Sequence, residues 1–561
     1  MRHLLSTATI RKKYCAATET EYFVTRTSFS MHKMKIFYST ILSAIILATF
    51  SDAFSDTINA AVNPQKKFQR IEYFGASDAW STQYVGDYWE DFLKEKAAKL
   101  LFSQKFDESG NPEGIGLSLW RVNLGGGSLE GDKSPIKFQW RGARCFIDPK
   151  SGEIDMSRCE GLRYFMKKAK EYGCEDFLLF SNTPPIGMTK NGSYHKTESD
   201  FRSNLKDDCY DDFAEYLAEV AKRLSDDGYG IKYISPVNEP SWKWTTDIQE
   251  GTPWLNPEIK KLAVELDKSL TKRRLATKIF LSEADSIQNI YGYDRVAKDN
   301  PNKREDMAYN QLYAFFNPAS KDYIGNLKTL ARQIGAHSYH THLRNSQMRD
   351  VRKKAAAEAE KYGVEFHQTE WCMLGFYANP KNLDGFTMDW KSNTYNDMQT
   401  ALHMAKIIYS DLVYGQAHSW SYWVASEIRD GICALIDAQG FVEDAKKGRD
   451  MRPTKLLWAL GNYSFFIRPG YDRVEVSGAD DMDKVMASAY VSPGGDKIVA
   501  VFINMTHEEQ NAEISINCGG NVELAGLYKT DERSDLAKID FDSDSIKLAP
   551  RSITTAVWNV E

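Results

Sequence analysis

The sequence predicts an α/β protein, namely a (β/α)8 TIM barrel with a β-sandwich attached on its C-terminal side. Between about residues 70 and 455, eight short apolar runs alternate with stretches of helical periodicity, the order expected of a closed parallel barrel. After about Lys455 the helical pattern stops. Short period-2 runs separated by turns follow at 485–491, 497–503, 513–516 and 552–558, and such runs are typical of a sandwich.

The predicted barrel strands are short apolar runs, and most of them end in polar or aromatic side chains. In order, they are expected at 70–77, 115–122, 175–180, 231–238, 277–282, 334–340, 364–370 and 417–424. Apolar residues spaced three and four apart predict helices at 89–102, 157–172, 209–224, 258–274, 327–333, 349–362 and 396–414. Because the carboxyl ends of all barrel strands meet at one face, the residues that close these runs are the candidate site.

The first 55 residues are predicted to be a leader that contains a signal peptide. A basic stretch precedes an apolar run at 36–50, which is too short for a comfortable membrane span, and small residues follow it. The polar residues before this signal suggest that the true start is Met31 or Met34; an organellar transit peptide is the alternative. The protein is therefore expected to be secreted or periplasmic, without stable membrane insertion.

The rest of the chain divides into three predicted parts. Residues 56–69 form an N-terminal strand that is expected to join the side sandwich. Residues 70–455 form the catalytic barrel, and residues 456–561 form the sandwich. Since no low-complexity linker separates the last two parts, they are expected to pack closely against each other. The protein is expected to be a monomer.

Charge and cysteine content exclude some functional classes. The net charge is −6, from 71 basic and 77 acidic residues without a dominant basic block, so nucleic acid is not an expected partner. Seven of the eight cysteines lie beyond the leader and form no C-x-x-C pair, so a zinc knuckle is not indicated. Cys145 and Cys159 are a possible disulfide pair. The high aromatic content, 12%, modestly favours a carbohydrate partner.

Two glutamates close predicted strands on roughly opposite sides of the barrel. Glu239 lies in Ile234-Ser-Pro-Val-Asn-Glu-Pro240, and Glu370 closes the run before Trp371. A carboxylate is costly to bury unless it has a task. Glycoside hydrolysis needs such a pair, one carboxyl protonated as the acid and the other ionised, and the distance between them decides the stereochemistry. We expect Glu239 to be the acid and Glu370 its partner, with Asn238 bonded to a sugar hydroxyl.

Further candidate substrate contacts are the polar and aromatic residues near the predicted strand ends. They are Asp78, Trp80, Arg121, Trp242, Trp244, His337, Tyr339, Trp371, Trp420 and Trp423. The tryptophans after the fourth strand are hard to bury together, which favours a substrate-facing wall, although one or two could instead plug the barrel rim. The segment Asn123-Leu-Gly-Gly-Gly-Ser128 lacks the spacing of a phosphate loop and is interpreted as a tight loop at the barrel mouth.

No metal and no cofactor are expected. The run His337-Ser-Tyr-His-Thr-His342 is rich in potential ligands, but on a strand its side chains alternate between two faces. His367 and Glu370 likewise face opposite ways on a strand, whereas on a helix their spacing would suit a metal.

Four motifs make the chain similar to glycoside hydrolase family 30. They are Phe74-Gly-Ala-Ser-Asp-Ala-Trp80, Ser235-Pro-Val-Asn-Glu-Pro240, Thr369-Glu-Trp371 and Leu460-Gly-Asn-Tyr-Ser-Phe-Phe-Ile-Arg-Pro-Gly470. The resemblance covers about residues 57–561 and is greatest to the endo-β-1,6-galactanase-like branch. It implies a barrel with a side sandwich, no metal, and retention by double displacement, with Glu239 as acid/base, Glu370 as nucleophile and Asn238 as the asparagine before the acid.

The resemblance leaves the substrate open. Many relatives carry a tryptophan after the third strand, and the segment Ser181-Asn-Thr-Pro-Pro185 has none. The expected substrate is β-1,6-galactan, cleaved internally. The alternatives are β-1,6-glucan, xylan or a β-glycoside such as glucosylceramide, and a non-catalytic carbohydrate-binding protein is the alternative of another class.

Overall fold

Eight parallel strands close into a barrel in the computed structural model, which describes residues 57–130, 136–292, 307–373, 398–428, 434–441, 443–541 and 545–561. The predicted signal peptide lies outside the described residues. Counted after β1 (Ile58–Arg70), the barrel strands are β2 (Tyr73–Ser77), β3 (Leu119–Asn123), β4 (Asp176–Phe180), β5 (Gly230–Ser235), β6 (Lys278–Ala284), β7 (Leu330–His337), β8 (Glu365–Glu370) and β9 (Ser419–Ile428). The barrel closes where β9 pairs with both β2 and β8. The predicted barrel is confirmed.

Helices cover the outside of the barrel. They are α1 (Ser81–Tyr88), α2 (Asp91–Phe102), α3 (Glu160–Glu171), α4 (Tyr210–Asp226), α5 (Asn256–Arg273), α6 (Gln311–Phe316), α7 (Asn345–Lys361) and α8 (Met398–Val413). In α4, for example, the apolar side chains of Phe213, Leu217, Val220 and Leu224 recur every three or four residues and are buried.

Two predicted helices differ in the structure. The run at 89–102 begins later, because Trp89 is extended and separates α1 from α2. The helix predicted at 327–333 is wrong. Residues from Leu330 onwards belong to β7, where Gln333 pairs with Glu365 of β8. A short apolar run fits both periodicities, and here pairing with the neighbouring strands decides.

A hairpin extends the barrel sheet beyond its eighth strand. It consists of β10 (Ala434–Gly440), which runs parallel to β9, and β11 (Gly448–Pro453). The helix α9 (Lys455–Ser464) follows and joins the barrel to the second sheet. Ser464 donates to the Ile115 carbonyl at 2.6 Å beside the barrel, and Thr555 of the second sheet donates to the Asn462 carbonyl at 2.9 Å.

The second sheet is mostly antiparallel and combines the C-terminal strands with β1. Its C-terminal strands are β12 (Asp472–Ser477), β13 (Val485–Val491), β14 (Lys497–Asn504), β15 (Gln510–Ile516), β16 (Val522–Thr530), β17 (Ala537–Lys538), β18 (Ile546–Leu548) and β19 (Ser552–Val560). β1 lies between β12 and β15. Buried residues such as Val62, Phe502 and Trp558 give this sheet a hydrophobic core of its own.

Two further expectations concern disulfides and the membrane. Cys145 and Cys159 are buried free thiols, so the possible disulfide between them is not formed; the Cys145 sulfur lies instead 3.4 Å from the Tyr216 hydroxyl. Among the described helices, none has the length and apolarity that crossing a membrane requires.

Candidate active site

The carboxyl ends of the barrel strands bring three carboxylates and two basic side chains together at one face. They are Arg121 on β3, Glu239 after β5, Glu283 on β6, His337 on β7 and Glu370 on β8. Of these, Glu283 is not among the site residues predicted from the sequence. The signal for it was present, because Glu283 also follows an apolar run.

Glu239 lies beyond the end of its strand rather than on it. β5 ends at Ser235, and Glu239 has a positive φ of 43°, a left-handed conformation that costs a residue with a side chain roughly 1–2 kcal/mol. Three hydrogen bonds hold its backbone. Its N–H donates to the Glu283 carbonyl at 2.8 Å, and its carbonyl accepts from the Trp242 N–H at 3.0 Å and the Trp244 indole N–H at 3.1 Å.

Glu239 and Glu370 face each other across His337. The His337 Nδ1 atom lies 2.8 Å from Oε1 of Glu239 and 3.5 Å from Oε1 of Glu370. One oxygen of each glutamate and one nitrogen of His337 all lie within 4.8 Å of one another. The Glu370 carboxylate is almost fully buried, while Glu239 retains some exposure to solvent. The two carboxylates can therefore act on opposite sides of one bond.

Glu370 is held in place by two donors. Arg121 donates from Nη1 to Oε2 at 2.6 Å, and the Tyr339 hydroxyl donates to Oε1 at 3.1 Å. Burial raises the pKa of Glu370, and the charge of Glu239 adds to the rise, although His337 and Arg121 oppose it.

Arg121 connects several members of the site. Its Nη2 atom donates to Oδ1 of Asn238 at 2.9 Å and lies 3.4 Å from Glu283, and its guanidinium stacks 3.8 Å above the Phe180 ring. Burial lowers the pKa of Arg121, but the charges of Glu283 and Glu370 outweigh burial and raise it overall. The arginine therefore stays charged and fixes both the nucleophile candidate and the asparagine before Glu239.

Glu283 and His337 carry opposite charges. Burial raises the pKa of Glu283, but the lowering by Arg121 and His337 is larger and brings this pKa to about 2. Burial lowers the pKa of His337, but the neighbouring Glu370, Glu239 and Glu283 raise it to about 10. At neutral pH the site therefore holds an imidazolium next to an ionised Glu283.

The same geometry bears on metal binding. Glu239, His337 and Glu370 offer three ligand atoms within 4.8 Å of one another, a spacing that a cation could bridge. A protonated imidazole has no free lone pair, however, and Arg121 already occupies one oxygen of Glu370. As arranged, these side chains are satisfied by protons and by Arg121.

Hydrogen bonds between three asparagine side chains connect the site to β3. Asn238 donates to Asn182 at 2.9 Å, and Asn182 donates to Asn123 at 3.0 Å. Asp78 accepts from the Asn123 N–H at 2.7 Å and from Gln83 at 3.0 Å, is completely buried, and has its pKa raised by burial to about 7. Asp78, a candidate substrate contact, therefore anchors β3 inside the protein.

Two of the candidate tryptophans point into the barrel and two point away from it. Trp80 and Trp423 meet edge to face, 5.3 Å apart, in the cluster that fills the barrel. Trp420 donates to Asp411 of α8 at 2.9 Å, and Trp371 donates to His342 at 3.4 Å; both are fully buried on the helix side.

The expectation that Trp371 and Trp420 contact substrate is therefore contradicted. In β9 the pairing with β2 skips Trp423, since Ala76 pairs with Tyr422 and Ser77 with Val424. The orientation of the two rings does not need this irregularity. Trp420 and Trp423 are three residues apart, so the alternation of side chains along β9 places them on opposite faces, Trp423 toward the barrel and Trp420 toward the helices.

A cleft of about 670 Å³ opens beside Glu239, between the loops that follow β5 and β6. Trp242 lines it and is 51% exposed, whereas Trp244 and Trp254 are buried. One tryptophan thus forms a wall and two are buried in the rim. Asp285, which accepts from Asn289 at 2.7 Å, also lines the cleft, and burial and the charge of Glu239 raise its pKa to about 6. Nothing in the sequence pattern singled out this pair.

Comparisons with known proteins agree with this geometry. The family model described as O-Glycosyl hydrolase family 30 matches residues 57–436. An endo-β-1,6-galactanase of Hypocrea rufa is 25% identical over 272 residues, which cover 45% of this chain and 54% of the relative. An exo-β-1,6-galactobiohydrolase of Bifidobacterium longum subsp. longum is 22% identical over 447 residues, which cover 68% of this chain and 28% of the relative.

The chain thus spans about half the length of the first curated relative and less of the second. Among solved structures, a conserved exported protein from Bacteroides fragilis is 29% identical, with a TM-score of 0.80, and the match covers 89% of this chain and 99% of that one. Because the family model spans more than half of the sequence, the chain belongs to O-glycosyl hydrolase family 30.

Proposed function

We propose that the protein is a secreted, retaining endo-hydrolase of β-1,6-galactan, with Glu370 as nucleophile and Glu239 as acid/base. The observation that carries the mechanism is the spacing of the two carboxylates, which approach within 4.8 Å. Retaining enzymes place their carboxyl groups roughly 5–5.5 Å apart, whereas inverting enzymes need roughly 6.5–9.5 Å to admit a water molecule. The spacing supports direct attack by Glu370.

In the first step, an oxygen of Glu370 attacks the anomeric carbon while Glu239 gives its proton to the leaving oxygen. The glycosidic C–O bond breaks, and a glycosyl ester of Glu370 forms. In the second step, Glu239 takes a proton from water, the water oxygen attacks the anomeric carbon, and the ester breaks with release of Glu370. Arg121 and Tyr339, each bonded to one oxygen of Glu370, orient the nucleophile for both steps.

The cleft beside Glu239 receives the leaving-group sugar in this proposal. The leaving oxygen must lie against the acid, and the cleft opens on the side of Glu239, between the loops after β5 and β6. Trp242 presents an aromatic face there, and the Asp285–Asn289 pair presents an acceptor and a donor for hydroxyl groups. Aromatic faces combined with a few fixed polar groups are what sugar rings require.

The choice of β-1,6-galactan is supported by the names of both curated relatives. β-1,6-Glucan, xylan and glucosylceramide-type β-glycosides remain the alternatives, since the same carboxylate pair would cleave them. Secretion is supported by the exported relative of known structure and by the predicted signal peptide.

The test is hydrolysis of a panel containing β-1,6-galactan, β-1,6-glucan and xylan, with sizing of the products and a Glu370→Gln variant as control. We expect mid-sized galacto-oligosaccharides early in the reaction, and loss of activity by a factor of more than about 1,000 in the variant. Equal activity in the variant would remove the nucleophile assignment. Binding of galactan without turnover by the parent would identify a carbohydrate-binding protein instead, and inversion of the anomeric configuration would exclude double displacement.

A further inference from the structure

Residues 124–128, which follow β3 and contain three successive glycines, form a segment that binds the carboxylate of Glu250. We call it the glycine segment. The N–H groups of Gly126 and Ser128 donate to Glu250 at 2.9 and 3.1 Å, and the Ser128 hydroxyl donates to it at 2.6 Å. Glu250 is completely buried. Successive N–H groups that converge in this way form a nest for an anion. The segment whose glycines resemble a phosphate loop is therefore filled by Glu250.

Glu250 lies in a closed loop that carries the three tryptophans Trp242, Trp244 and Trp254. This aromatic loop, residues 240–254, is closed by a hydrogen bond from the Trp254 N–H to the Pro240 carbonyl at 3.0 Å. Next to Glu250, Gly251 packs against the indole of Trp244, and a Cβ atom at Gly251 would lie only 2.2 Å from the ring. Only glycine leaves room for the indole at this position.

The Trp244 indole connects the aromatic loop to Glu239. Its N–H donates to the Glu239 carbonyl at 3.1 Å, one of the three hydrogen bonds that hold Glu239 in its left-handed conformation. The contacts thus run from the glycine segment through Glu250, Gly251 and Trp244 to the backbone of Glu239. Glu250 itself makes its hydrogen bonds to the glycine segment, away from the carboxylate pair.

We propose that Glu250 is a positioning residue for the acid: it clamps the aromatic loop to the glycine segment and thereby holds Trp244 against the backbone of Glu239. This inference rests on the proposed acid/base role of Glu239. A displacement of about 1 Å in a catalytic group can cost roughly 100-fold in rate. In Glu250→Gln an amide N–H₂ replaces one acceptor oxygen and faces the donors of the nest, so the clamp loosens while the side chain keeps its size.

The experiment compares two aryl glycosides built on the glycone that the parent prefers, one with a 2,4-dinitrophenyl and one with a phenyl leaving group. The phenyl group needs the proton of Glu239, and the dinitrophenyl group leaves without it. We expect Glu250→Gln to lower kcat/KM for the phenyl glycoside at least about tenfold more than for the dinitrophenyl glycoside, because general acid catalysis contributes roughly 100- to 10,000-fold. An equal fall, or no fall, would overturn the clamp, since a loss of folded enzyme lowers both alike.

Two further variants sharpen the comparison. Glu258→Gln is the matched control, because Glu258 also accepts from backbone N–H groups, those of Leu255 and Ser203, but makes no hydrogen bond to the glycine segment or to Trp244. In this variant the ratio of kcat/KM for the dinitrophenyl glycoside to kcat/KM for the phenyl glycoside should equal that of the parent. Gly251→Ala keeps Glu250 and displaces the indole, so it should change the ratio as Glu250→Gln does, and it decides the matter if Glu250→Gln does not fold. Activity retained in Glu370→Gln would instead refute the proposed function, independently of this ratio.

Discussion

Arg121 and Glu370 form a buried ion pair across the barrel, with Nη1 of the arginine 2.6 Å from Oε2 of the glutamate. The two residues are 249 positions apart in the sequence; Arg121 lies in the middle of β3, and Glu370 ends β8. Because the second branch of the same guanidinium bonds Asn238, the ion pair also sets the position of the segment that carries Glu239.

Replacing Arg121 by lysine should lower kcat roughly 100-fold, because an ammonium cannot bond Glu370 and Asn238 at once as the guanidinium fork does. The measurement is kcat per folded molecule, with the melting temperature recorded beside it. Arg352→Lys is the matched control, since Arg352 forms an equally buried pair with Asp411 at 2.6 Å on the helix side. Both variants should melt earlier, but a similar loss of kcat in Arg352→Lys would contradict a role of Arg121 in orienting the site.

Removal of the acid/base should leave activity on substrates with good leaving groups. In Glu239→Ala the first step with a 2,4-dinitrophenyl glycoside needs no proton, so the glycosyl ester of Glu370 accumulates, and added azide should accelerate its breakdown and give the β-glycosyl azide. The product is identified by NMR. Without acceleration and without this product, Glu239 is not the acid/base.

Stability should fall as the pH rises from about 6.5 to about 10. The pKa of His337 is raised to about 10 in the folded protein, so its contribution is complete below its ordinary pKa of about 6.5 and is lost as the pH rises through 10. The free energy of unfolding, measured in urea at pH 6, 8 and 10, should decline less in His337→Gln than in the parent.

The matched control for this pH dependence is His342→Gln. Burial lowers the pKa of His342 to about 3, so that residue is neutral in the folded protein over the whole range and in the unfolded protein above about pH 8. Its loss should therefore leave the decline between pH 8 and pH 10 unchanged. If His337→Gln showed the slope of the parent, the imidazolium would not be the titrating group.

Trp242→Ala should weaken binding of the polysaccharide without affecting stability. The indole is 51% exposed on the cleft wall, so it contributes little to folding and offers an open face to a sugar ring. The loss of one stacking contact, about 1.4 kcal/mol, should raise KM for galactan about tenfold. Phe92→Ala removes a ring of α2 that is even more exposed, at 69%, and should change nothing. Identical KM values for both variants would exclude Trp242 from the binding surface.

The sequence was sufficient for the barrel and for the carboxylate pair, because both depend on local patterns. Eight alternations of strand and helix define a parallel barrel, and a glutamate that closes an apolar run stands out on energetic grounds. Glu283 follows the same pattern, but its partners Arg121 and His337 come from other strands that are distant in the sequence. That Glu283 is an ionised carboxylate paired with these two basic side chains is therefore visible only in three dimensions.

Other features depended on backbone irregularities that residue types do not reveal. Trp420 and Trp423 face opposite ways because they are three residues apart, as alternation anticipates, but the skipped pairing at Trp423 itself is not visible in the residue types. Glu239 has a left-handed conformation just beyond the end of its strand, and its residue type disfavours that conformation. In both cases long-range contacts outweigh the local preference of the chain.

The position of β1 between β12 and β15 has a consequence for how the protein is made. The ion pair between Lys66 of β1 and Glu475 of β12 joins residues 409 positions apart. At a synthesis rate of roughly 5–20 residues per second, β1 therefore stays without a partner strand for about 20–80 s. In that interval both of its edges are open to other chains. A protein shortened at the end of the barrel would keep these edges open permanently and would tend to aggregate through them. A shortened protein that contains the barrel should therefore also lack β1.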